Sequence, residues 1–448
     1  MFIYLLCEPF IFIRAAEDLL SQIQENYQKP LEELEVLKEA ASHVLSKHNN
    51  ELKAAEALVR EAEAKMQESN HLLLMVNAAF AVVISNLLIS TPSAVIPTWG
   101  AIAVALLIGQ AIYRLNWNLP LVSLVGVVAL YSLMVLGDRF PVVLPETVLG
   151  IPANGVWIIL LFIYAFIASL LPVWVLLQPR DYINGLQLFV GLIILYGSFL
   201  ITRPELAAPA VRENVPEGTP GIFPLLFVTI ACGAISGFHG IVASGTSSKQ
   251  IDKETDVRFV GYFGAVGEGL LALGTIIATT AGFNSLPQWE EIYSEWNAGG
   301  VEAFVQGGGA LMNEGMGIPT SLSGTILATM AVLFAATTMD SGVRLQRFVV
   351  AEIGEIMGFK LKTWVATVIV LAVTMGLAFG AGADGSGGMV IWPLFGTTNQ
   401  LMADPAAVPV LVQAPRDEEA VLVTDLDKEA AQSVADEIAA LGGTSGSA

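Results

Sequence analysis

The sequence predicts an all-α fold: a polytopic transmembrane helical bundle of about ten spans, preceded by a coiled-coil-like helix and followed by a short acidic tail. Three observations carry this. The 448 residues are 54% hydrophobic and 14% charged, with a mean hydropathy of +0.65, whereas an ordinary soluble domain carries about 25% charged residues. Apolar blocks of about 20 residues, the length that crosses a hydrocarbon layer as helix, follow one another from Leu72 to Ala403 with short loops between them. The acids behind the net charge of -20 gather in the two ends and one long loop, which leaves the blocks nearly neutral.

The first part, residues 1–71, is polar and helix-rich. Leu34, Leu37, Ala41, Val44, His48, Ala55, Leu58 and Ala62 share a seam of 3–4 spacing, the pattern of a coiled coil. Ala and His hold several of these sites, and Glu51 and Lys65 interrupt the seam, so the helix needs a coiled-coil partner. The start, MFIYLLCEPFIFIR, has no basic residue before its apolar run and no small-residue cleavage site, and reads as an interfacial helix rather than a signal peptide. The stretch RAAEDLLSQIQENYQKPLEELEVLKEAASHVLSKHNNELKAAEALVREAEAKMQESNHLLLMVNA resembles the coiled-coil arm of laminin α chains.

The second part, residues 72–403, is the membrane core. Its candidate spans are 72–91, 95–113, 119–137, 155–177, 186–201, 222–245, 259–281, 323–339, 363–382 and 389–403, the last short enough to be half a helix. With the amino end inside, the inner loops carry Arg114, Arg180, Lys249, Lys253, Arg258, Arg344, Arg347, Lys360 and Lys362, against Arg139, Arg203 and Arg212 outside. Cytoplasmic loops are richer in Lys and Arg, so nine against three supports that orientation. The loop 282–322 has five acids and no Lys or Arg, as an exported loop can, and its amphipathic pieces are expected on the outer surface.

The third part, residues 404–448, is an acidic soluble tail. AVLVTDLDKEAAQSVADEIAALGG reads as strand, turn and amphipathic helix and is similar to the second strand and helix of short-chain dehydrogenases. That resemblance implies a ribose contact at Asp425. The Gly-rich phosphate loop such a site needs is absent, so no cofactor is expected.

Four motifs within the core carry candidate chemistry. SLLPVWVLLQPRDY places Pro172 inside an apolar helix, where it releases a backbone carbonyl, and ends at the inner interface with Gln178, Pro179, Arg180 and Asp181. A kinked span with a local Arg–Asp pair is the simpler account of it. ACGAISGFHGIVASGT combines four glycines with Ser236, His239, Ser244 and Thr246, a composition that serves close packing or an unwound helix. An ionisable side chain in a span faces a cavity or a partner, and the ordinary pKa of His239 suits a proton relay. In AATTMDSGVRLQR, Thr337, Thr338 and Asp340 are hard oxygen ligands fit for a cation, or back-bonded threonines beside an ion-paired interface. WPLFGTTNQLMA sets Asn399 and Gln400 in apolar surroundings, where amides need partners.

These runs, LPVWVLLQPRDY, CGAISGFHGIVASGTSSKQI, TTMDSGVRLQR and WPLFGTTNQLMA, together with VNAAFAVVISNLL at 76–88, resemble motifs of the carbon-starvation family in the family's own order. The resemblance covers about residues 76–403. It implies a multi-helix secondary transporter of the cell's inner or plasma membrane, related to the amino acid, polyamine and organocation carriers, that imports peptides or pyruvate with a coupling proton or cation. It also implies early spans with Gly-His-His-Phe-Ala and Gly-Ala-Gly-Pro segments, and later spans after the Asn-Gln motif. The polar helix and the acidic tail stand in those places, the arrangement of a truncated core with foreign ends.

The expected partners are therefore membrane lipid, a small solute, a proton or cation, and a partner for the coiled coil. The substrate path is assigned to Ser236, His239, Ser244, Thr246, Thr337, Thr338, Asp340, Asn399 and Gln400, with Pro172, Gln178, Arg180 and Asp181 at a kink and interface. The alternative is a membrane-anchored interaction protein that recruits its partner through the amino-terminal coiled coil. No enzyme is expected, since phosphate loop, His-Glu-x-x-His, Cys-x-x-Cys and nucleophile elbow are all missing. Cys7 and Cys232 give neither a disulfide framework nor a metal spacing. The acidic balance argues against nucleic acid.

Overall fold

The computed structural model describes residues 71–212, 215–216, 219, 236–243, 247–295 and 300–402. The coiled-coil seam, the acidic tail with Asp425, and Ser244 and Thr246 lie outside the described residues. Seven of the described helices are long and apolar enough to cross a membrane. They are α1 (His71–Ser90), α2 (Val95–Tyr113, entered through a 3-10 turn at Pro92–Ala94), α3 (Leu119–Arg139), α4 (Ala153–Leu170), α5 (Leu177–Thr202), α7 (Glu254–Ala281) and α10 (Thr320–Ile356). Shorter helices are α6 (Gly237–Val242), α8 (Leu286–Ile292), α9 (Gly300–Met316), α11 (Thr363–Phe379), α12 (Gly387–Val390) and α13 (Trp392–Met402). The strand content described is one hairpin, Thr147–Val148 against Ile151–Pro152, turning through Leu149 and Gly150 at positive φ. The all-α membrane bundle is thus the fold.

Local sequence sets the helix ends. Pro120 lies in the first turn of α3, where its missing N–H costs nothing, and Arg139 closes the last turn, where a cation meets the negative end of the helix dipole. Pro319 immediately precedes α10.

Two compact units are present, one holding the described residues within 73–227 and 264–395, the other those within 71–72, 228–263 and 396–448. In the first, α1 and α10 are the enclosed elements. Leu73, Val76, Ile84, Leu327, Val332 and Met339 are all inaccessible or nearly so. Helix α3 is the opposite case: Leu121, Leu124, Val125, Val128 and Leu136 are exposed along its length. An exposed apolar stripe would be a liability in water and is the expected surface toward lipid acyl chains.

Helix α9 departs from the expected exported loop. It does not rest on a surface but enters the bundle, burying Phe304, Val305, Leu311 and Met312. Glycine makes this entry possible. A Cβ at Gly307 would collide with the Ala278 carbonyl of α7, and one at Gly315 would collide with the backbone of Ser198 on α5. Backbones that close leave no room for side chains.

Three other expectations are corrected. The block 323–339 is part of a 37-residue helix, because Asp340, Arg344 and Arg347, which close the apolar run, are buried within the bundle rather than released to water. Pro172 does not kink a span: α4 ends at Leu170, and Leu171 turns extended at ψ 146, as the residue before a proline prefers. Residues 172–176 form a turn before α5 begins. Consequently Arg180 stands in the first turn of α5 with Asp181 just after it, and both are buried.

Candidate functional site

Arg180 is the largest fully enclosed side chain of the described residues, 2% exposed, beside Asp181 at 0% and Asp340 at 1%. Its Nε and Nη2 donate to Asp181 Oδ1 at 3.3 and 3.1 Å, and its Nη1 donates to Asp340 Oδ2 and contacts the Tyr164 hydroxyl. Tyr164 in turn donates to the same Asp340 oxygen at 2.6 Å. Three helices therefore meet on one ionic cluster: α4 through Tyr164, α5 through Arg180 and Asp181, and α10 through Asp340. A planar guanidinium reaches two carboxylates at once, which a lysine ammonium does less well. One guanidinium faces two carboxyl groups, and the Arg344 guanidinium lies within electrostatic reach of both.

A turn further along α10, Arg344 donates from Nη2 to the carbonyls of Ala168 at 2.9 Å and Leu171 at 2.7 Å, and Arg347 donates to the Ser169 carbonyl. These are carbonyls of the last turn of α4 and of the residue that follows it, which have no acceptor role inside the helix. Two guanidinium groups supply the donors there and offset the negative end of the α4 dipole. Asn77 on α1 donates to Gln346 at 3.3 Å, tying a third face of α10.

Buried polar atoms remain unmet in the first unit. Asp181 Oδ2, Asp340 Oδ1, both side-chain atoms of Asn184 and both of Gln187 have no hydrogen-bond partner among the described residues, although each of these residues is at most 1% exposed. Each such buried atom costs about 1–3 kcal/mol.

The second unit brings two of the sequence motifs together. Ser236 caps α6, its hydroxyl accepting from the His239 amide at 3.3 Å. Asn399 of α13 accepts from the Phe238 amide at 2.7 Å and exchanges hydrogen bonds with Ser236 at 3.1 and 3.2 Å. Asn399, 1% exposed, thereby satisfies an amide at the opening of α6 that no helical carbonyl can reach. His239 is partly buried beside Phe238.

Of the remaining expected residues, Thr337 and Thr338 both donate to the Phe334 carbonyl, at 2.7 and 3.1 Å, the back-bonded arrangement. Gln178 accepts from Tyr113 at 2.8 Å. Gln400 lies in α13. Among the described residues no three His, Cys, Asp or Glu side chains gather as a metal site. Tyr164, Asn184, Gln187, Asn77 and Gln346 were not singled out from sequence. A signal existed for two of them: Asp181, Asn184 and Gln187 recur every three residues in an otherwise apolar block, a polar stripe at helical spacing.

Comparison with known proteins follows the same lines. The family profile described as Carbon starvation protein CstA matches residues 58–287 and 285–423, and that described as Laminin Domain I matches residues 13–85. The peptide transporter CstA of Bacillus subtilis (strain 168) is 31% identical over 349 residues, covering 68% of this chain and 57% of the relative. The peptide transporter CstA of Mycobacterium tuberculosis (strain ATCC 25618 / H37Rv) is 29% identical, covering 76% and 53%. The pyruvate/proton symporter BtsT of Escherichia coli (strain K12) is 31% identical, covering 55% and 44%. The chain spans about half the length of the curated relatives it matches. No solved structure matches it. By its matched profile and its apolar helices, the chain is a multi-pass membrane protein belonging to the carbon starvation protein CstA family.

Proposed function

We propose that the chain is the core of a secondary active transporter of the inner or plasma membrane that imports short peptides or pyruvate together with protons. In this reading residues 1–71 are a coiled-coil extension, 72–403 the transporter core and 404–448 a soluble tail. The observation that carries it is the Arg180–Asp181–Asp340 cluster, enclosed between three helices of an apolar bundle. Charge in a membrane interior is costly and is kept where ions or solutes pass. Support for the solute classes comes from relatives named as a peptide transporter and a pyruvate/proton symporter.

Such a cluster suits coupling. A proton taken by Asp340 removes the charge that Arg180 of α5 meets on α10, and weakens the hold between the two helices. Closure of the helices then depends on protonation, the kind of two-state element that alternating access needs. Ser236, His239, Ser244, Thr246, Asn399 and Gln400 belong to the proposed path, as do Thr337, Thr338 and Asp340.

The test is uptake of labelled pyruvate and of dialanine by the full chain in proteoliposomes, with and without an inward proton gradient. Gradient-driven accumulation that Asp340→Asn abolishes is the expected result. Absence of accumulation of either solute by a well-folded preparation would sink the reading.

A further inference from the structure

We infer that Asn184 and Gln187 of α5, with the unmet oxygen of Asp181, form a binding seam for a small solute that carries both an ammonium and an amide group; the inference rests on the transporter reading and assigns its solute site. The argument begins with helix geometry. At about 100° per residue, Arg180, Asp181, Asn184, Gln187 and Gly191 share roughly a third of the circumference of α5. Two of them fix what that face meets. Arg180 binds Asp340 of α10, and a Cβ at Gly191 would lie 3.2 Å from Sδ of Met330, also on α10. Asn184 and Gln187 fall between those two contacts, along the side that α5 turns toward α10.

Depth is consistent with a solute site. Met330 lies ten residues into α10, about 15 Å along its axis, and a hydrocarbon layer is about 30 Å thick. Met330 also lies ten residues before Asp340, so the seam extends about 15 Å from the ionic cluster along α10.

The unmet atoms define the ligand. Asn184 and Gln187 each present an acceptor oxygen and a two-proton donor, all four groups without partners among the described residues. A peptide amide, with one N–H and one C=O, complements such a group. Asp181 Oδ2 and Asp340 Oδ1 accept only, and they too are unmet. An ammonium supplies the donors they lack. A keto acid such as pyruvate brings acceptors alone: it can use the amide donors, but it leaves the acid oxygens unmet. Donor-bearing solutes are thus favoured at this seam over acceptor-only ones.

The experiment measures binding by the full chain in nanodiscs, using calorimetry and thermal shift with three probes: dialanine, N-acetyl-dialanine and pyruvate. Dialanine should bind, and its acetylated form, which has no ammonium, should bind about tenfold more weakly or worse. Asn184→Leu and the near-isosteric Gln187→Met should each weaken dialanine by about tenfold or more. Both variants should keep or raise the melting temperature of the ligand-less protein, since each removes unmet buried polar atoms. That second readout separates loss of a site from loss of the fold. Dialanine binding unchanged in both variants, or no dialanine binding by the parent protein, overturns the seam. Gradient-driven uptake in proteoliposomes that neither variant alters would sink the seam while leaving transport intact. Dialanine binding that depends on Asn184 and Gln187, without any gradient-driven uptake, would sink the transporter reading and leave the seam.

Discussion

The Tyr164 hydroxyl donates to Asp340 Oδ2 at 2.6 Å, joining α4 to α10 across 176 positions of sequence. A hydrogen bond to an ionised acceptor contributes about 1.5–3 kcal/mol. Tyr164→Phe should therefore lower stability by about that amount, with shape and packing unchanged. Thermal melts of the detergent-solubilised protein check this, and a melting temperature equal to that of the parent would show that Arg180 alone holds Asp340.

The ionic cluster should be strongly non-additive. Arg180→Leu strands two buried carboxylates and should cost about 3–5 kcal/mol, the penalty of removing one member of a buried pair. Asp340→Leu leaves Arg180 with Asp181 and should cost less. The double variant should regain part of the Arg180→Leu loss, because one of the stranded acids is gone. A double-mutant cycle on melting temperature decides the point; simple addition of the two losses would mean that the side chains do not interact.

Gly307→Ala drives a methyl group against the Ala278 carbonyl, on backbone that cannot swing aside as a long side chain can. Overpacking of this kind costs about 1–3 kcal/mol. The expected signature is faster hydrogen exchange confined to α9 and the end of α7. Unchanged protection there would show that the helices separate freely.

In the second unit, Asn399→Leu removes the acceptor of the Phe238 amide and both hydrogen bonds to Ser236. A buried amide left unmet costs about 1–3 kcal/mol. Exchange of the α6 amides should rise while that of α10 stays as it was. Retention of α6 protection would mean that the cap by Ser236 suffices.

How much of this was legible beforehand varies by element. The spans α1, α2, α3 and α7 were readable because each is an apolar block of span length, and length alone decides that question. The extent of α10 was not, because Asp340, Arg344 and Arg347 read as the end of a span when their partners are unknown. Those partners, Tyr164, Arg180 and the carbonyls of Ala168, Ser169 and Leu171, lie more than 150 positions away in sequence, and periodicity carries no information at that range. Arg180, Asp181, Asp340, Ser236 and Asn399 could each be named from a motif; which met which could not. The amides of Asn184 and Gln187 went unnoticed because two neutral side chains barely disturb the hydropathy of an apolar run.

Arg180 emerges from the ribosome 160 residues before Asp340 exists. At about 5–20 residues per second that is a delay of roughly 8–30 s, during which a bare guanidinium would have to enter lipid alone. Asp181 is already present, bonded to it at 3.1 Å in the finished protein. The segment therefore carries its own counter-charge from the start, and the distant acid is an addition made later. Asp181→Asn should consequently lower the fraction of chains that insert α5 during translation, read by glycosylation mapping, more than it lowers the melting temperature of the chains that succeed; equal insertion of both forms would show that Arg180 needs no chaperone of its own.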